Sequence, residues 1–353
     1  MRNITVITLL VFTLACAKRP TQVVVPIPPG LTEAPTGYDT LTNGFTTQAQ
    51  HDTDRAQFEE NTEDGLGPVF NHRACLSCHS NPVTGGNSQV FEHRLGDGTL
   101  IHDQAIPGTP QEVAPVGSHN ALRSSVNLFG DGFVEQIPDS LLRYIASVNG
   151  GEYIFVDGNR IGRFGHKDQH ADILAFAGDA ARNEVGHGNR LNPDPVNGIE
   201  DQQSGSTTGC KDPNCEDIDF YASFMRGMKA PPRGMIDAQV TAGGVVFMRI
   251  GCGLCHVPTL YTQVYTFHPF GDYLLHDVGT GDGVVQGDAP ANKIRTAPLW
   301  GLRVKSRFLH DGRVFDIPST ILAHGNEAKR AKNRFQGLNT ADHAAIIAFL
   351  NSL

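Results

Sequence analysis

Two five-residue motifs of the form Cys-x-x-Cys-His stand out in this chain of 353 residues. The first joins Cys75, Cys78 and His79, and the second joins Cys252, Cys255 and His256. Two thiols on one helical turn can add to the two vinyl groups of one porphyrin, and the adjacent imidazole then binds the iron. The motifs predict two covalently attached c-type haems with His79 and His256 as proximal ligands. Their spacing leaves open a zinc site in two halves or redox-active cysteine pairs.

The first residues predict export. Arg2 precedes an apolar run over residues 4–14, and Ala15 precedes Cys16. This pattern is typical of a signal peptide over residues 1–16 and is too short to span a bilayer. Cys16 lies where bacterial lipoproteins carry their lipidated cysteine, and plain secretion is the alternative. We expect a periplasmic protein, anchored through Cys16 to the outer membrane, with the lipid as its only membrane contact.

Two cysteines remain when Cys16 and the two motifs are set aside from the total of seven. Cys210 and Cys215 lie in the loop-like segment GSTTGCKDPNCEDID. In an oxidising compartment a local disulfide is the expected state, and a metal site or free thiols are the alternatives.

Composition limits the class of partner. The chain is 39% hydrophobic and 18% charged, with a formal net charge of −9. The hydrophobic content suits an ordinary globular protein, and the negative charge argues against nucleic acid as a partner. A small basic cytochrome, or a similar redox protein, would suit this charge as electron donor.

The motifs divide the chain into two predicted haem domains. A Pro-rich tether is expected over residues 17–44, the N-terminal domain over 45–230, and the C-terminal domain over 231–353. An insertion or long loop is expected over residues 183–217. The predicted fold class is mainly α: two c-type cytochrome-like haem domains packed together, with loop-rich insertions and a few short strands.

Local patterns predict the elements that hold the motifs. A hairpin is expected to turn at Asp157-Gly158, and Thr340 is the predicted N-cap of the last helix. Helices are expected over residues 48–61, 138–148, 167–182, 236–251 and 340–353.

Several longer segments carry a family resemblance: GLGPVFNHRACLSCHS, RSSVNLFGDGFVEQIP, GRFGHK, GCGLCHVPTLYT, GDYLLHDVGTGD and RTAPLWGLRVKSRFLHDGRVFDIPSTILAHGNEA. With these segments the chain resembles the bacterial di-haem oxidoreductases and peroxidases. They are relatives of the di-haem cytochrome c peroxidases and of the methylamine-utilisation di-haem enzymes. The resemblance covers most of the mature chain.

The resemblance implies reduction of hydrogen peroxide at the N-terminal haem, with electrons relayed through the C-terminal haem. The alternatives are a non-enzymatic electron-transfer cytochrome, or an oxidase of a protein or small organic substrate. A calcium ion between the domains is also implied, with no ligands assigned.

The resemblance also suggests the second axial ligands. His324 follows His310 of FLHDGR by fourteen residues, where peroxidase relatives carry a ligating methionine. We therefore expect His256 and His324 to ligate one iron, and a surface position for His324 is the alternative. His310 itself is expected to be structural, because Asp311-Gly312 suits a tight turn.

For the first haem, His93 is the predicted removable ligand, with His102 and His72 as rivals. The alternative is a five-coordinate iron, with His93 lining the pocket or facing solvent.

The same resemblance assigns Glu135 as the acid/base for peroxide cleavage, with Arg123 as its charged neighbour. The alternative for Glu135 is a helix-terminal charge just before Pro138.

Two departures from the relatives concern aromatic positions. The sole tryptophan, Trp300, lies in the second domain rather than in the first. Electron passage could use Trp300, Phe129 or Phe133, or no aromatic residue. His166 replaces a common tryptophan in GRFGHK, so its pocket could differ or gain a ligand.

Overall fold

The computed structural model describes residues 21–61, 66–88, 90–195, 202–203 and 215–353. Cys16 and Cys210 lie outside these residues. The helices are α1 Gln48–Glu59, α2 Asp131–Glu135, α3 Asp139–Asn149, α4 Ile173–Ala180, α5 Asp217–Gly227, α6 Ala238–Ile250, α7 Ile317–Ala323, α8 Lys329–Gln336 and α9 Thr340–Leu350. A π-helical turn, Ala181–Val185, continues α4, and short 3₁₀ turns form Cys75–Ser77, Cys252–Leu254, Leu302–Val304 and Asn326–Ala328.

Short strands are more numerous than the sequence predicted. They are β1 Thr32–Glu33, β2 Val69–Phe70, β3 Phe91–Leu95, β4 Leu100–Ile101, β5 Gln104–Ala105, β6 Asn120–Ser124, β7 Phe155–Val156, β8 Arg160–Ile161, β9 His187–Gly188, β10 Gln202–Gln203, β11 Leu260–Tyr261, β12 Tyr265–Phe267, β13 Leu275–His276 and β14 Ile294–Arg295. Two three-stranded sheets have the orders β1-β12-β11 and β4-β3-β6, and the other strands form pairs. The described fold is therefore helical with many small sheets.

The predicted hairpin and the helix α3 are both present. The β7–β8 turn places Asp157, Gly158 and Asn159 at positive φ, as the Asp-Gly signal predicts. Helix α3 begins after Pro138 and ends at Gly150, whose φ of +81° forms a left-handed cap.

Helix boundaries differ in two places. The last helix is capped by Asn339, whose side chain accepts from the Asp342 amide, so Thr340 is its first residue rather than its N-cap. Helix α4 begins after Asp172 instead of at residue 167. The preceding residues form a bridge between Phe164 and His170, with Asp168 at a φ of +54°, which excludes a continuous helix there.

The predicted tether was wrong for its described part. Val23 donates its amide to the Gly253 carbonyl at 3.1 Å, beside the second motif. Strand β1 then runs parallel to β12, and Ala34 is buried. Proline-rich composition without periodicity does not reveal a strand whose partner is more than 200 residues away. The start of the predicted insertion likewise forms the π-helical turn and β9.

Two large hydrophobic clusters form the core. The smaller one packs α6 against α9, and Gly243 lets them meet, because a Cβ there would lie 2.0 Å from the Ala345 carbonyl oxygen. The larger one combines N-terminal residues such as Phe133 and Ile145 with Phe267 and Trp300. The C-terminal half thus contributes to both clusters. No helix in the described ranges is long and apolar enough to cross a membrane.

Candidate functional site

Both cysteine pairs occupy equivalent local structures. Each lies on a 3₁₀ turn, and all four thiols are free of disulfides. Burial raises the pKa of Cys75, Cys78 and Cys252 to about 12, so these thiols are protonated near neutral pH, unlike activated redox thiolates. The described residues contain no group that joins the two pairs as ligands of one zinc ion. Both observations argue against a redox-active cysteine pair and against a zinc site that the two motifs share.

In each motif histidine, a hydrogen bond at Nδ1 leaves Nε2 as the nitrogen that can bind iron. Nδ1 of His79 donates to the Gly86 carbonyl at 3.3 Å, and Nδ1 of His256 donates to the Phe270 carbonyl at 3.1 Å. Burial lowers the pKa of each imidazole to about 4, so each ring is neutral. The proton on Nδ1 leaves the Nε2 lone pair for a metal.

His324 lines the same cavity as His256, and its Nδ1 is likewise bound to a backbone carbonyl. It is the C-cap of α7, and its Nδ1 donates to the Thr320 carbonyl at 2.8 Å. Burial lowers its pKa, and His324 in turn contributes to the low pKa of His256. Both histidines line one cavity. The structure thus brings together the two imidazoles that the sequence paired.

That cavity has a volume of about 700 Å³, within the range of cofactor sites. Cys252 and Cys255 line this cavity, and so do Ser125 and Asn127 of the N-terminal half. Ser125 also hydrogen bonds with Cys78 of the first motif. One cavity therefore extends from the second motif to the edge of the first.

The cavity wall contains a cation that suits a carboxylate-bearing cofactor. The Lys305 side chain lines the cavity, and its ammonium group forms no hydrogen bond or ion pair with any described residue, whereas its backbone amide donates to Leu302. Burial, and then the nearby Arg295, lower its pKa to about 8. An ammonium group in such a place needs an anion, and the carboxylates of a haem would supply one. The thiols, the neutral imidazoles and Lys305 together fit two c-type haems.

Trp300 lies between the two halves of the molecule. It lines the cavity, its ring lies 5.8 Å from that of Phe267, and a Cβ on Gly130 would lie 2.5 Å from its Cη2. Gly130 immediately precedes α2 of the N-terminal half. Of the aromatic residues considered from sequence, Trp300 is the one that lines the cavity.

The structure also brings together His166 and His310. Their rings lie 6.3 Å apart in an edge-to-face arrangement, and both line the cavity. His166 Nε2 lies 2.9 Å from the Ser124 carbonyl oxygen. Burial, and then the charge of Arg123, lower the pKa of His166 to about 3. Sequence reasoning noted both histidines but did not pair them, because they lie 144 residues apart.

His93 does not join this group. It lies on β3 opposite Leu122, whose side chain is half exposed, and it does not line the cavity. Side chains alternate along a strand, so His93 points away from the face that carries Glu92 and Arg94. The His93 side chain therefore lies on the partly exposed face of β3, and its role as a removable ligand of the first haem stays a prediction.

The rival His102 is also committed elsewhere. Its two ring nitrogens lie 2.8 Å from Glu112 and 2.7 Å from the Asn183 carbonyl oxygen. His72 does not line the cavity either.

Glu135 occupies a structural position. It accepts two hydrogen bonds from Arg226, at 2.7 and 2.8 Å, and a third from the Ile173 amide at the start of α4. It does not line the cavity. Three donors therefore hold the Glu135 carboxylate, as expected for the helix-terminal alternative, and its acid/base role stays a prediction.

Arg123 is buried and bound to Asp282 and Gln286, each at 2.7 Å. It neighbours His166, not Glu135. Its charged neighbours therefore differ from the predicted one, and its place at the reactive site stays a prediction.

A carboxyl pair that the sequence did not suggest lies beside the first motif. Glu92 lies 2.9 Å and Glu184 3.9 Å from the Arg94 guanidinium. Burial, and then the charge of Glu92, raise the pKa of Glu184, which also interacts with both Cys75 and Cys78. Glu184 lies on the π-helical turn, a feature often found at functional sites. No sequence signal connects it to the motif.

Cys215 is buried and disulfide-bonded, while its expected partner Cys210 lies outside the described residues. Cys255, Asp272 and His276 are the one set of metal-ligand types found within mutual reach in the described chain. His276 is held between Asp272 and Glu327, at 2.9 and 2.7 Å. With a single carboxylate, the set offers too few oxygens for calcium.

A protein-family model described as "Di-haem oxidoreductase, putative peroxidase" matches residues 145–353. No curated protein matches the chain.

Solved structures with similar coordinates include the hydrazine synthase of Kuenenia stuttgartiensis, at 14% identity and a TM-score of 0.49. That alignment covers 94% of this chain and 99% of the synthase chain. Another is a MauG-like protein associated with microbial copper homeostasis, at 11% identity and a TM-score of 0.48, covering 93% of this chain and 94% of the other. The family match covers more than half of the sequence, and the chain belongs to the di-haem oxidoreductase family.

Proposed function

We propose that this di-haem oxidoreductase reduces hydrogen peroxide to water at its N-terminal site, with electrons relayed through its C-terminal site. The balance is one peroxide, two protons and two electrons for two waters, with a one-electron redox protein as donor. A haem held by the first motif would supply the redox chemistry for cleaving the oxygen–oxygen bond. We also propose that Cys75, Cys78, Cys252 and Cys255 attach the two haems covalently.

The observation that carries the proposal is the difference between the two motif histidines. His256 and His324 line one cavity, and the charge of His324 contributes to the low pKa of His256. His79 forms hydrogen bonds with the backbone of Gly86 and Val126, and no side chain of the described residues contributes to its low pKa. This asymmetry, which concerns the described residues, favours a saturated relay site and an open reactive site.

The chain's own groups supply the proton chemistry. The raised pKa of Glu184 keeps its carboxyl protonated near neutral pH, beside the first motif. Such a group can deliver a proton to the departing oxygen of a peroxide. His166 and His310 add neutral imidazoles that line the same cavity as Ser125.

Between the sites, Trp300 is the aromatic residue that we propose carries electrons. It touches Gly130 of the N-terminal half and lines the cavity of the second site.

We further propose that the chain is exported and lipidated at Cys16, as its first residues indicate. That placement would put both motifs where c-type haems are attached and disulfides form.

The test is an EPR and visible spectrum of the haem-loaded protein, oxidised and half-reduced, before and after peroxide. We expect one low-spin site and one high-spin signal that peroxide removes, together with peroxide turnover. A Cys75→Ser/Cys78→Ser variant is the control, because it should retain the low-spin site and lose the response. Two low-spin sites that ignore peroxide at both redox levels would instead make the protein an electron carrier.

A further inference from the structure

Helix α8 carries a charge opposite to that of the whole molecule. Four of its eight residues, Lys329, Arg330, Lys332 and Arg334, are basic, whereas the chain has a net charge of −9. Lys329 and Arg330 are exposed. In the ranges that the structure describes, none of the four forms an ion pair with a carboxylate. A concentrated and unneutralised positive surface of this kind attracts anionic partners.

This helix covers the second motif. A Cβ on Gly251, which precedes Cys252, would lie 3.6 Å from Arg334 Nη1 and 3.9 Å from the Ala331 Cβ. Arg334 also donates to the Ile250 carbonyl at 3.2 Å. Helix α8 is therefore fixed against the end of α6, directly over the turn that holds the cysteines.

The helix also lines the cavity of the second site. Arg330, Lys332 and Arg334 contribute to the wall that His256 and His324 share. The charge of Lys332 adds to the lowering of the His324 pKa. One layer of side chains thus separates the relay site from solvent at this face, and the layer is basic.

We propose that the exposed face of α8 is the docking surface for an acidic one-electron donor protein. The inference rests on the proposed relay role of the second site. In each encounter one electron passes from the donor to the second haem; the donor is oxidised, the haem iron is reduced, and no bond forms or breaks. The net charge of the sequence had suggested a basic donor, but the local charge at the relay site has the opposite sign. Complementary charge mainly raises the association rate and gives it a strong dependence on salt.

The test measures electron entry without peroxide. Oxidised, haem-loaded protein is mixed in a stopped-flow instrument with reduced flavodoxin, an acidic one-electron donor, at low and high ionic strength. The variant is Lys329→Glu/Asn333→Glu, at two exposed positions of α8 outside the cavity, which leaves the cavity-lining Arg330, Lys332 and Arg334 unchanged. The control is Arg143→Glu/Arg307→Gln, which makes the same change in net charge at cationic side chains outside α8 that have aromatic contacts.

We expect the α8 variant to slow reduction about tenfold or more at low salt, with the difference lost at high salt. Oxidation of the reduced protein by the cation hexaammineruthenium(III) should become faster in the same variant. The control should change both rates much less.

Equal slowing in the α8 variant and the control would overturn the proposal, because it would reflect net charge alone. A shifted midpoint potential or a lower haem content in the α8 variant would also overturn it, since α8 would then serve the haem carboxylates. These rates are measured without peroxide, so the docking result can be interpreted even if the protein does not reduce peroxide.

Discussion

What a histidine can do in this protein depends on the partner of each ring nitrogen. His79, His256 and His324 each donate from Nδ1 to a backbone carbonyl, which leaves Nε2 free. His102 and His276 use both nitrogens in hydrogen bonds and cannot bind iron as they stand. The motif spacing predicted the first two of these ligands. The carbonyls that orient them lie seven and fourteen residues downstream, where no sequence signal indicates them.

The second site should respond to replacement of His324. His324→Ala is expected to convert the second haem from low spin to high spin, because it removes the imidazole facing His256. His324→Met should keep it low spin and raise its midpoint potential, since a thioether is the weaker ligand for ferric iron. EPR and potentiometry measure both effects.

The matched control is His268→Ala, because His268 lies outside the cavity and pairs with Glu33 at the surface. An unchanged spin state in His324→Ala would remove His324 from the ligand set.

Glu184 and Glu135 should differ in their contribution to peroxide turnover. Glu184→Gln is expected to lower peroxide turnover by about 10²-fold, because it removes the protonated carboxyl beside the first motif. Glu135→Gln should leave turnover nearly unchanged and lower the free energy of unfolding by about 1–3 kcal/mol, because Arg226 loses a charged acceptor. Steady-state kinetics and urea denaturation measure the two effects. The reverse pattern would restore the acid/base role of Glu135.

Elements with local signals were predictable, and elements with distant partners were not. The cap at Pro138 and Asp139, the apolar stripe of α3 and the Asp157-Gly158 turn are contiguous in sequence. Strand β1 has two residues, and its strand partner among the described residues is the distant β12, so local periodicity does not indicate it. The structural position of Glu135 could not be predicted for the same reason, because its partner Arg226 lies 91 residues away on α5.

The contact between α2 and Trp300 can be tested with two glycines. Gly130→Ala and Gly150→Ala both place a side chain at positive φ, at +85° and +81°. The first adds a Cβ 2.5 Å from Trp300, whereas the second meets nothing within 4 Å. Gly130→Ala should therefore cost about 1–3 kcal/mol more in the free energy of unfolding. It should also slow electron transfer between the haems, which flash photolysis measures.

Similar stability and similar inter-haem rates in the two glycine variants would show that Trp300 has room to move and that its packing does not set the rate.

The β7–β8 hairpin is fastened to α4 by a histidine. His170 lies between Asp157 of the hairpin turn and Asp179 of α4, 3.4 Å from each. Burial opposes its charge, but hydrogen bonds to the two carboxylates prevail and raise its pKa to about 9. A raised pKa stabilises the fold fully below the unfolded value near 6.5, and the benefit is lost as the pH rises to about 9.

His170→Gln should therefore lower the free energy of unfolding by about 3 kcal/mol at pH 6 and by little above pH 9. Urea denaturation of both proteins at pH 6 and 9.5 measures the difference, with His268→Gln as the surface control. A loss of equal size at both pH values would mean that the ring acts through packing rather than charge.

At the scale of the molecule, the two predicted haem domains are not independent. The larger cluster joins Phe133 and Ile145 to Leu260, Phe267 and Trp300. Sequence analysis placed the domain boundary at residue 230 on the basis of the two motifs. The composition does not indicate that apolar residues after residue 230 complete the core formed by residues before it.

A fragment of residues 231–353 is expected not to fold alone, because Leu260, Phe267 and Trp300 would lose their packing partners. Its circular dichroism and its haem spectrum should differ from those of the full chain, and co-expression with residues 17–230 should restore them. Cooperative unfolding of the fragment with a native low-spin spectrum would show that the second core is autonomous.

The parallel pairing of Thr32 with Tyr265 has a consequence for how the protein is made. A ladder that joins positions so far apart has a large loop-closure entropy and forms late in folding. If the chain is exported from its N-terminus, as we propose, it cannot complete this sheet until the second cysteine pair has also emerged. Both pairs should therefore remain accessible to the attachment machinery for longer than in a protein that folds domain by domain. The topology would delay closure of the core until the cofactors are in place.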